Sequence, residues 1–237
     1  MNSQKLLAII RKEMTHYFAS PMGYIVAALY FLVTGFFFWL FVVNGHQANV
    51  APVFQNTMII FLFITPIITM RLWSEEEKSG TVELLRTSPL TLWEIVLGKF
   101  LGAFVFFLLL LSSSLVYLII IAINGNPDWG PVVTNFLGYM LAAMSFFAVG
   151  LFGSTLSENQ IVSAVITFVI LLMLWVIGAA SNNVGGDFGS LLEYLSIFKH
   201  CDDFFKGVID LSHVFYFLSV IFLGLFFSVK VLESKRN

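Results

Sequence analysis

The stretch Arg71-Leu72-Trp73-Ser74-Glu75-Glu76-Glu77-Lys78-Ser79-Gly80-Thr81-Val82-Glu83-Leu84-Leu85-Arg86-Thr87-Ser88-Pro89 holds seven of the chain's 26 charged residues, between two long apolar runs. An island of charge in such a setting marks a segment held outside a membrane, and the fold follows from what flanks it. The whole chain has 237 residues, 59% hydrophobic and 11% charged, with 27 Phe and a mean hydropathy of +0.92. That composition excludes a soluble globular domain and indicates an all-α polytopic membrane protein. Its net charge of −2 averages over compartments that the membrane separates, and gives no reason to expect nucleic acid as a partner. The single cysteine, Cys201, allows neither an intrachain disulfide nor a cysteine-cluster metal site.

Six stretches approach or exceed the roughly 20 apolar residues that a hydrocarbon core requires. They run over about 22–43, 53–70, 100–123, 132–153, 160–180 and 213–229, each ended by turn residues or charge. An even number of spans puts both termini on one side. With the N-terminus inside, ten of the twelve Lys and Arg residues are cytoplasmic, and only Lys199 and Lys206 lie outside. The early charges Arg11, Lys12 and Glu13 interrupt any cleavable signal, so the first apolar run reads as a retained helix.

Residues 2–20 set Leu6, Leu7, Ile10, Met14, Tyr17 and Phe18 at helical spacing against Lys5, Arg11, Lys12 and His16, as in a helix lying in the membrane interface. The alternative is a basic tail that only sets orientation. Thr91 and Glu94 form a capping box that starts the third span, which from Leu92 to Ile123 would be about 48 Å long and project its first turns, with Glu94 and Lys99, from the bilayer. Pro66, beside Thr65 and near Thr69, predicts a kink in the second span. Residues 185–212 carry two short amphipathic patterns around Lys199 to Asp203, which either re-enter the outer leaflet or lie on its surface.

Catalytic chemistry is not written into the chain. No Gly-x-x-x-x-Gly-Lys-[Ser/Thr] phosphate loop occurs, so ATP is not bound by that route and the protein is not expected to be an enzyme or to need a cofactor. His16, His46, His200 and His213 are dispersed with no second His at ligand spacing; Cys201, Asp202 and Asp203 give His200 only a minor metal-binding alternative. The spans contain essentially no ionisable residue, which disfavours a proton-driven carrier. Ser112, Ser113 and Ser114 lie mid-span and could line a substrate path, although serine commonly bonds back to its own helix. The small pairs Gly98/Gly102, Gly138/Ala142 and Gly150/Ser154 suit close helix packing.

Gly80 to Ser88 can form about two helical turns, with Val82, Leu84 and Leu85 as an apolar knuckle suited to a groove on a soluble partner. The alternative is a solvated loop that fixes topology. The core Glu77-Lys78-Ser79-Gly80-Thr81-Val82-Glu83-Leu84-Leu85, followed by Ser88-Pro89, closely resembles the segment between the second and third spans of type-2 ABC exporter permeases. Residues 153–162 and Tyr194-Leu195-Ser196-Ile197-Phe198-Lys199-His200 are similar to later segments of that family, although Ser196-Ile197 stands where the family often has Ser-Pro. Phe204 to Leu211 and Leu232 to Arg236 look most like the gliding-motility-associated, GldF-type permeases of Bacteroidetes.

The resemblance implies a single transmembrane domain over 1–237 in a bacterial inner membrane, with an N-terminal elbow helix over 2–20, a coupling helix over 75–88 and short helices over 185–212 before the last span. It further implies a separate ABC ATPase subunit, a second permease copy or related membrane subunit, and lipid as partners. Glu75, Glu76, Glu77, Lys78, Thr81, Glu83, Leu84 and Arg86 would form the ATPase-docking element. The function expected is that of an exporter permease subunit. Its rival is a non-transporting, ATP-driven scaffold that gates a gliding or secretion complex.

Overall fold

A computed structural model describes residues 3–45, 49–83, 90–181 and 186–235. Its elements are helical throughout the described residues: α1 (Ser3–Ala19), α2 (Pro21–Phe38), α3 (Ala51–Thr69), α4 (Arg71–Lys78), α5 (Leu92–Ser112), α6 (Ser114–Asn124), α7 (Trp129–Thr155), α8 (Gln160–Ser181), α9 (Asp187–Leu195), α10 (Ile197–Phe205) and α11 (Leu211–Ser234). A wider, π-helical turn over Trp39–Val43 extends α2. Among the described residues, six helical runs are long and apolar enough to cross a bilayer: Pro21–Val43, Ala51–Lys78, Leu92–Asn124, Trp129–Thr155, Gln160–Ala180 and Leu211–Ser234. The chain is thus a multi-pass membrane protein with the six spans expected, but the second is longer than its apolar run because α4 continues it.

Helix α7 lies at the centre, packed against α3, α5, α8 and α11. Bare backbone makes the closest approaches: a Cβ on Gly150 would sit 2.3 Å from Thr69 Oγ1, and one on Gly138 would sit 2.4 Å from Phe204 Cβ. With no hydrophobic drive between helices in lipid, such close packing is a principal source of their association. Phe61, Phe107, Tyr139 and Phe147 interlock where α3, α5 and α7 meet, with ring centroids 4.9 to 5.9 Å apart. Helices α2 and α8 stay at the periphery and turn Tyr24, Leu32, Ile161 and Met173 outward.

The capping box that begins α5 is formed, with Glu94 N–H donating to Thr91 Oγ1 at 3.2 Å and Thr91 N–H to Glu94 Oε2 at 3.0 Å. The third span is divided at Ser113 into α5 and α6. Hydroxyls of Ser112 and Ser113 donate to the carbonyls of Leu109 and Leu110, both at 2.7 Å, competing for acceptors at the break. Pro66 lies inside the second span. Helix α3 passes through Pro66 to Thr69, and the interruption falls at Met70.

Helix α11 runs from His213, beside α10, to Lys235, beside α4. Its 24 residues, at about 1.5 Å each, separate those sites by the thickness of a bilayer. The bundle therefore has an α4 end and an α9/α10 end.

Candidate functional site

At the α4 end, Arg71, Ser74, Glu76 and Glu77 of the octet Arg71–Lys78 each bond to a residue outside that helix. Leu72, Trp73, Ser74 and Glu76 are buried. Arg71 makes a bidentate pair with Glu75, at 2.7 and 2.9 Å, and its remaining nitrogen donates to Ser20 Oγ at 2.6 Å. Ser20 also caps the start of α2, so Arg71 fastens α4 to the joint between α1 and α2. Lys235, just past α11, donates to both carboxylate oxygens of Glu77 at 2.9 and 3.0 Å.

Glu76 anchors the deepest contact. One oxygen accepts a hydrogen bond from Lys12 of α1, and the other lies 3.0 Å from the Lys99 ammonium of α5. Lys99 also donates to Glu13 of α1 at 2.9 Å. Two lysines thus face two carboxylates, and the group is neutral as a whole. Lys99 is only 2% exposed. A lone ammonium at that depth would be severely destabilising, and the two carboxylates within 3.0 Å offset that cost. Gly98 and Gly102 make room for it: Cβ atoms there would come within 2.7 Å of Ile9 and 2.6 Å of Glu13. They form the seat on which α1 lies.

The same contact revises the reading of α1. Its buried residues are Ile9 and Glu13, one turn apart, while Leu7 and Phe18 point outward, 67% and 48% exposed. Leu6, Ile10, Met14 and Tyr17 are half-buried on the same side, so the helix is held to the bundle by a mixed polar and apolar face, and only Leu7 and Phe18 of its apolar set face outward. Tyr17 strengthens the attachment by stacking on Phe106 at 4.5 Å and donating to the Ile68 carbonyl at 3.2 Å.

Ser154 of α7 accounts for the break at Met70. Its hydroxyl accepts from the backbone N–H groups of Trp73 and Ser74, at 2.9 and 3.2 Å, and donates to the Met70 carbonyl at 3.1 Å. That hydroxyl stands in the backbone ladder where the Ser74 N–H would otherwise reach Met70, a recognised cause of helix interruption. Ser74 Oγ then lies 2.6 Å from Ser163 Oγ, which brings in α8.

Helix α4 stops in a Schellman motif. The Thr81 N–H reaches back to the Glu76 carbonyl at 3.0 Å and the Gly80 N–H to that of Glu77 at 3.2 Å, with Gly80 at φ 71°. Beyond it Val82 is buried, Thr81 is half-buried and Glu83 is exposed. Lys78 is exposed as well. Leu84, Leu85 and Arg86, and with them most of the helix expected over Gly80 to Ser88, lie outside the described residues. Of the apolar knuckle, Val82 is turned into the protein rather than presented to a partner.

The structure thus brings Glu75, Glu76 and Glu77 into internal ion pairs and leaves Lys78 and Glu83 at the surface. Ser112, Ser113 and Ser114 splay around their helix, the first exposed and the last buried. Sequence reasoning missed Glu13, Lys12 and Lys99 as partners of the island. Two signals were available: Glu13 is the sole acid of α1, and Lys99 sits between the two glycines of a close-packing pair.

Sequence comparison supplies the family. A search of curated proteins finds no match. The profile of the ABC-2 type transporter family matches residues 4–201, which include α1, the island and the first five spans. With that match over most of its length, and with six spans arranged around a charged hub, the chain belongs to the ABC-2 type transporter membrane family.

Proposed function

We propose that this chain is the transmembrane permease subunit of an ATP-driven exporter, and that α4 passes motion of a separate ATPase subunit to the spans. Lys78, Thr81 and Glu83, with Leu84 and Arg86 beyond them, form the docking edge. Glu75, Glu76 and Glu77 work behind that edge, holding α4 to its neighbours. The observation that carries this reading is the division of labour within α4: Arg71, braced by Glu75, with Ser20 at the start of α2, Glu76 with α1 and α5, Glu77 with the end of α11. A push on one short helix thereby bears on four others at once, as a rigid-body switch requires.

The excess of Lys and Arg at the α4 end supports an orientation with that end and both termini in the cytoplasm, and this reading puts the protein in a bacterial inner membrane. A second permease copy would cover the apolar sides of the peripheral helices that lipid does not. A substrate path past Ser112, the exposed member of its serine triplet, belongs to this reading. So does a role in gliding-motility machinery, which rests on the likeness of residues 204–211 and 232–236.

Co-purification tests the docking edge. An ATPase subunit encoded beside this chain should be retained by wild type and lost with Glu83→Arg. Retention by Glu83→Arg, and equally by deletion of residues 79–86, would refute docking at this edge.

A further inference from the structure

At the opposite end, a cavity of about 360 Å³ lies between the last turns of α8 and the α9/α10 pair. Its volume falls in the range of small-molecule sites, roughly 300–1,000 Å³. Trp175, Val176 and Gly178 of α8 line one wall, and Phe198, Lys199 and Asp202 of α10 line the other. The first wall is apolar; the second presents an ammonium and a carboxylate one turn apart on the same helix.

Both walls are fixed by contacts around the cavity. A Cβ on Gly178 would lie 2.3 Å from Ser196 Oγ, so α8 touches the joint between α9 and α10, where Ser196 caps α10 by accepting from the Lys199 N–H at 3.4 Å. Trp175 meets Phe198 edge-on, with ring centroids 6.4 Å apart. Behind the polar wall, His200 Nδ1 lies 2.6 Å from His213 Nδ1 of α11, and the Tyr216 hydroxyl donates to the Leu195 carbonyl at 2.7 Å. The two histidines, dispersed in the sequence, meet in the fold and tie α10 to the last span.

Depth decides the kind of ligand. Trp175 stands about two turns before the end of α8 at Ser181, at the level where membrane tryptophans sit between headgroups and acyl chains. From the mouth of the cavity Val176, Met173, Val169 and Val165, 44%, 64%, 39% and 55% exposed, descend the outer face of α8 at helical spacing. A ligand matched to these surfaces has a small polar part bearing both charges and a long apolar part.

The charges are open to such a ligand. Lys199 pairs with Glu193 of α9 at 2.8 Å, their side chains 57% and 46% exposed, and Asp202 pairs with the still more exposed Lys206. Exposed pairs of this kind contribute little to stability, so a ligand can replace either partner at small cost.

We propose that this cavity binds the headgroup of a zwitterionic phospholipid carrying a primary ammonium, of the phosphatidylethanolamine type, from the leaflet at the α9/α10 end. The phosphate pairs with Lys199 beside the first turn of α10, the ammonium donates to Asp202 and faces the Trp175 ring, and an acyl chain follows the stripe from Val176 to Val165. A choline headgroup offers Asp202 no N–H, and a glycerol headgroup offers it no cation. The site stands apart from the docking edge at the α4 end and does not depend on it.

Competitive lipid retention tests the assignment. The full-length chain is reconstituted in vesicles holding equal amounts of phosphatidylethanolamine, phosphatidylcholine and phosphatidylglycerol with the same acyl chains, extracted in mild detergent and washed, and the lipid it keeps is quantified by mass spectrometry. Wild type should keep phosphatidylethanolamine over either competitor by about tenfold, of the order of one hydrogen bond between charged groups. Asp202→Asn should abolish the preference over phosphatidylcholine, Lys206→Gln should preserve it by leaving Asp202 to the lipid, and Glu158→Gln, in the turn between α7 and α8 at the other end of the bundle, should behave as wild type. Equal retention of the three lipids by wild type, as expected of annular lipid or of a face covered by a second copy, would overturn the proposal whatever the variants do. An undiminished preference in Asp202→Asn would overturn it as well.

Discussion

Lys99 and Glu13 meet at 2.9 Å, with the lysine 2% exposed and Gly98 and Gly102 on either side of it. This pair fastens the N-terminal helix to the third span, and through Glu76 it includes α4. Truncating one member of a buried pair strands the other charge and costs about 3–5 kcal/mol. Glu13→Gln should therefore lower the thermal midpoint in detergent by several degrees, and Lys99→Met, which removes the buried charge itself, should cost less when combined with Glu13→Gln than when made alone. Additive losses in the double variant would show that the two are not coupled.

The glycine seat makes an independent prediction. Leucine at Gly98 or Gly102 would overlap Ile9 or Glu13, since even a Cβ comes within 2.7 or 2.6 Å. Either variant should lift α1 and expose the Lys12 region to limited proteolysis, while leucine at the exposed, peripheral position Ile161 should leave the digestion pattern unchanged.

Ser154 should matter through its hydroxyl. Ser154→Ala leaves two backbone donors and the Met70 carbonyl without their partner, a loss of about 1–3 kcal/mol for a buried group. Thr155→Ala, which removes a bond only to the carbonyl of Phe152 in the same helix, should cost less in the same unfolding assay.

These contacts also show how far the sequence could be read. The six spans, the start of α5 at Thr91 and the paired short helices α9 and α10 follow from local pattern, because apolar length, a capping box and amphipathic spacing are written in neighbouring residues. Partnerships across helices are not. Glu76 meets Lys12, 64 residues away, and Ser74 meets Ser154, 80 residues away, so no local period reveals them. The likeness to the permease family implied docking contacts for Glu75 to Glu77. The fold commits them to pairs within the chain, and it buries Glu76 because the buried Lys99 requires a carboxylate beside it. Likewise the helix break at Met70 answers to a serine on another helix, which no local signal announces.

Thiol chemistry distinguishes the two ends. Cys201 is fully buried, and burial pushes its thiol up, so the native protein should resist maleimide until it is unfolded. Topology is better read from Ser79→Cys and Lys206→Cys, both exposed. An impermeant reagent applied to intact cells should label the second and not the first.

Glu76 is the point through which α4 would transmit force while its outer edge binds the ATPase. The direct measurement is ATP hydrolysis by the reconstituted complex carrying Glu76→Gln, with subunit binding measured in parallel. The account predicts that the ATPase stays bound while the permease-dependent part of hydrolysis falls by about tenfold, a loss of about 1.4 kcal/mol of coupling. Full permease-dependent hydrolysis in a Glu76→Gln complex that remains assembled would contradict it.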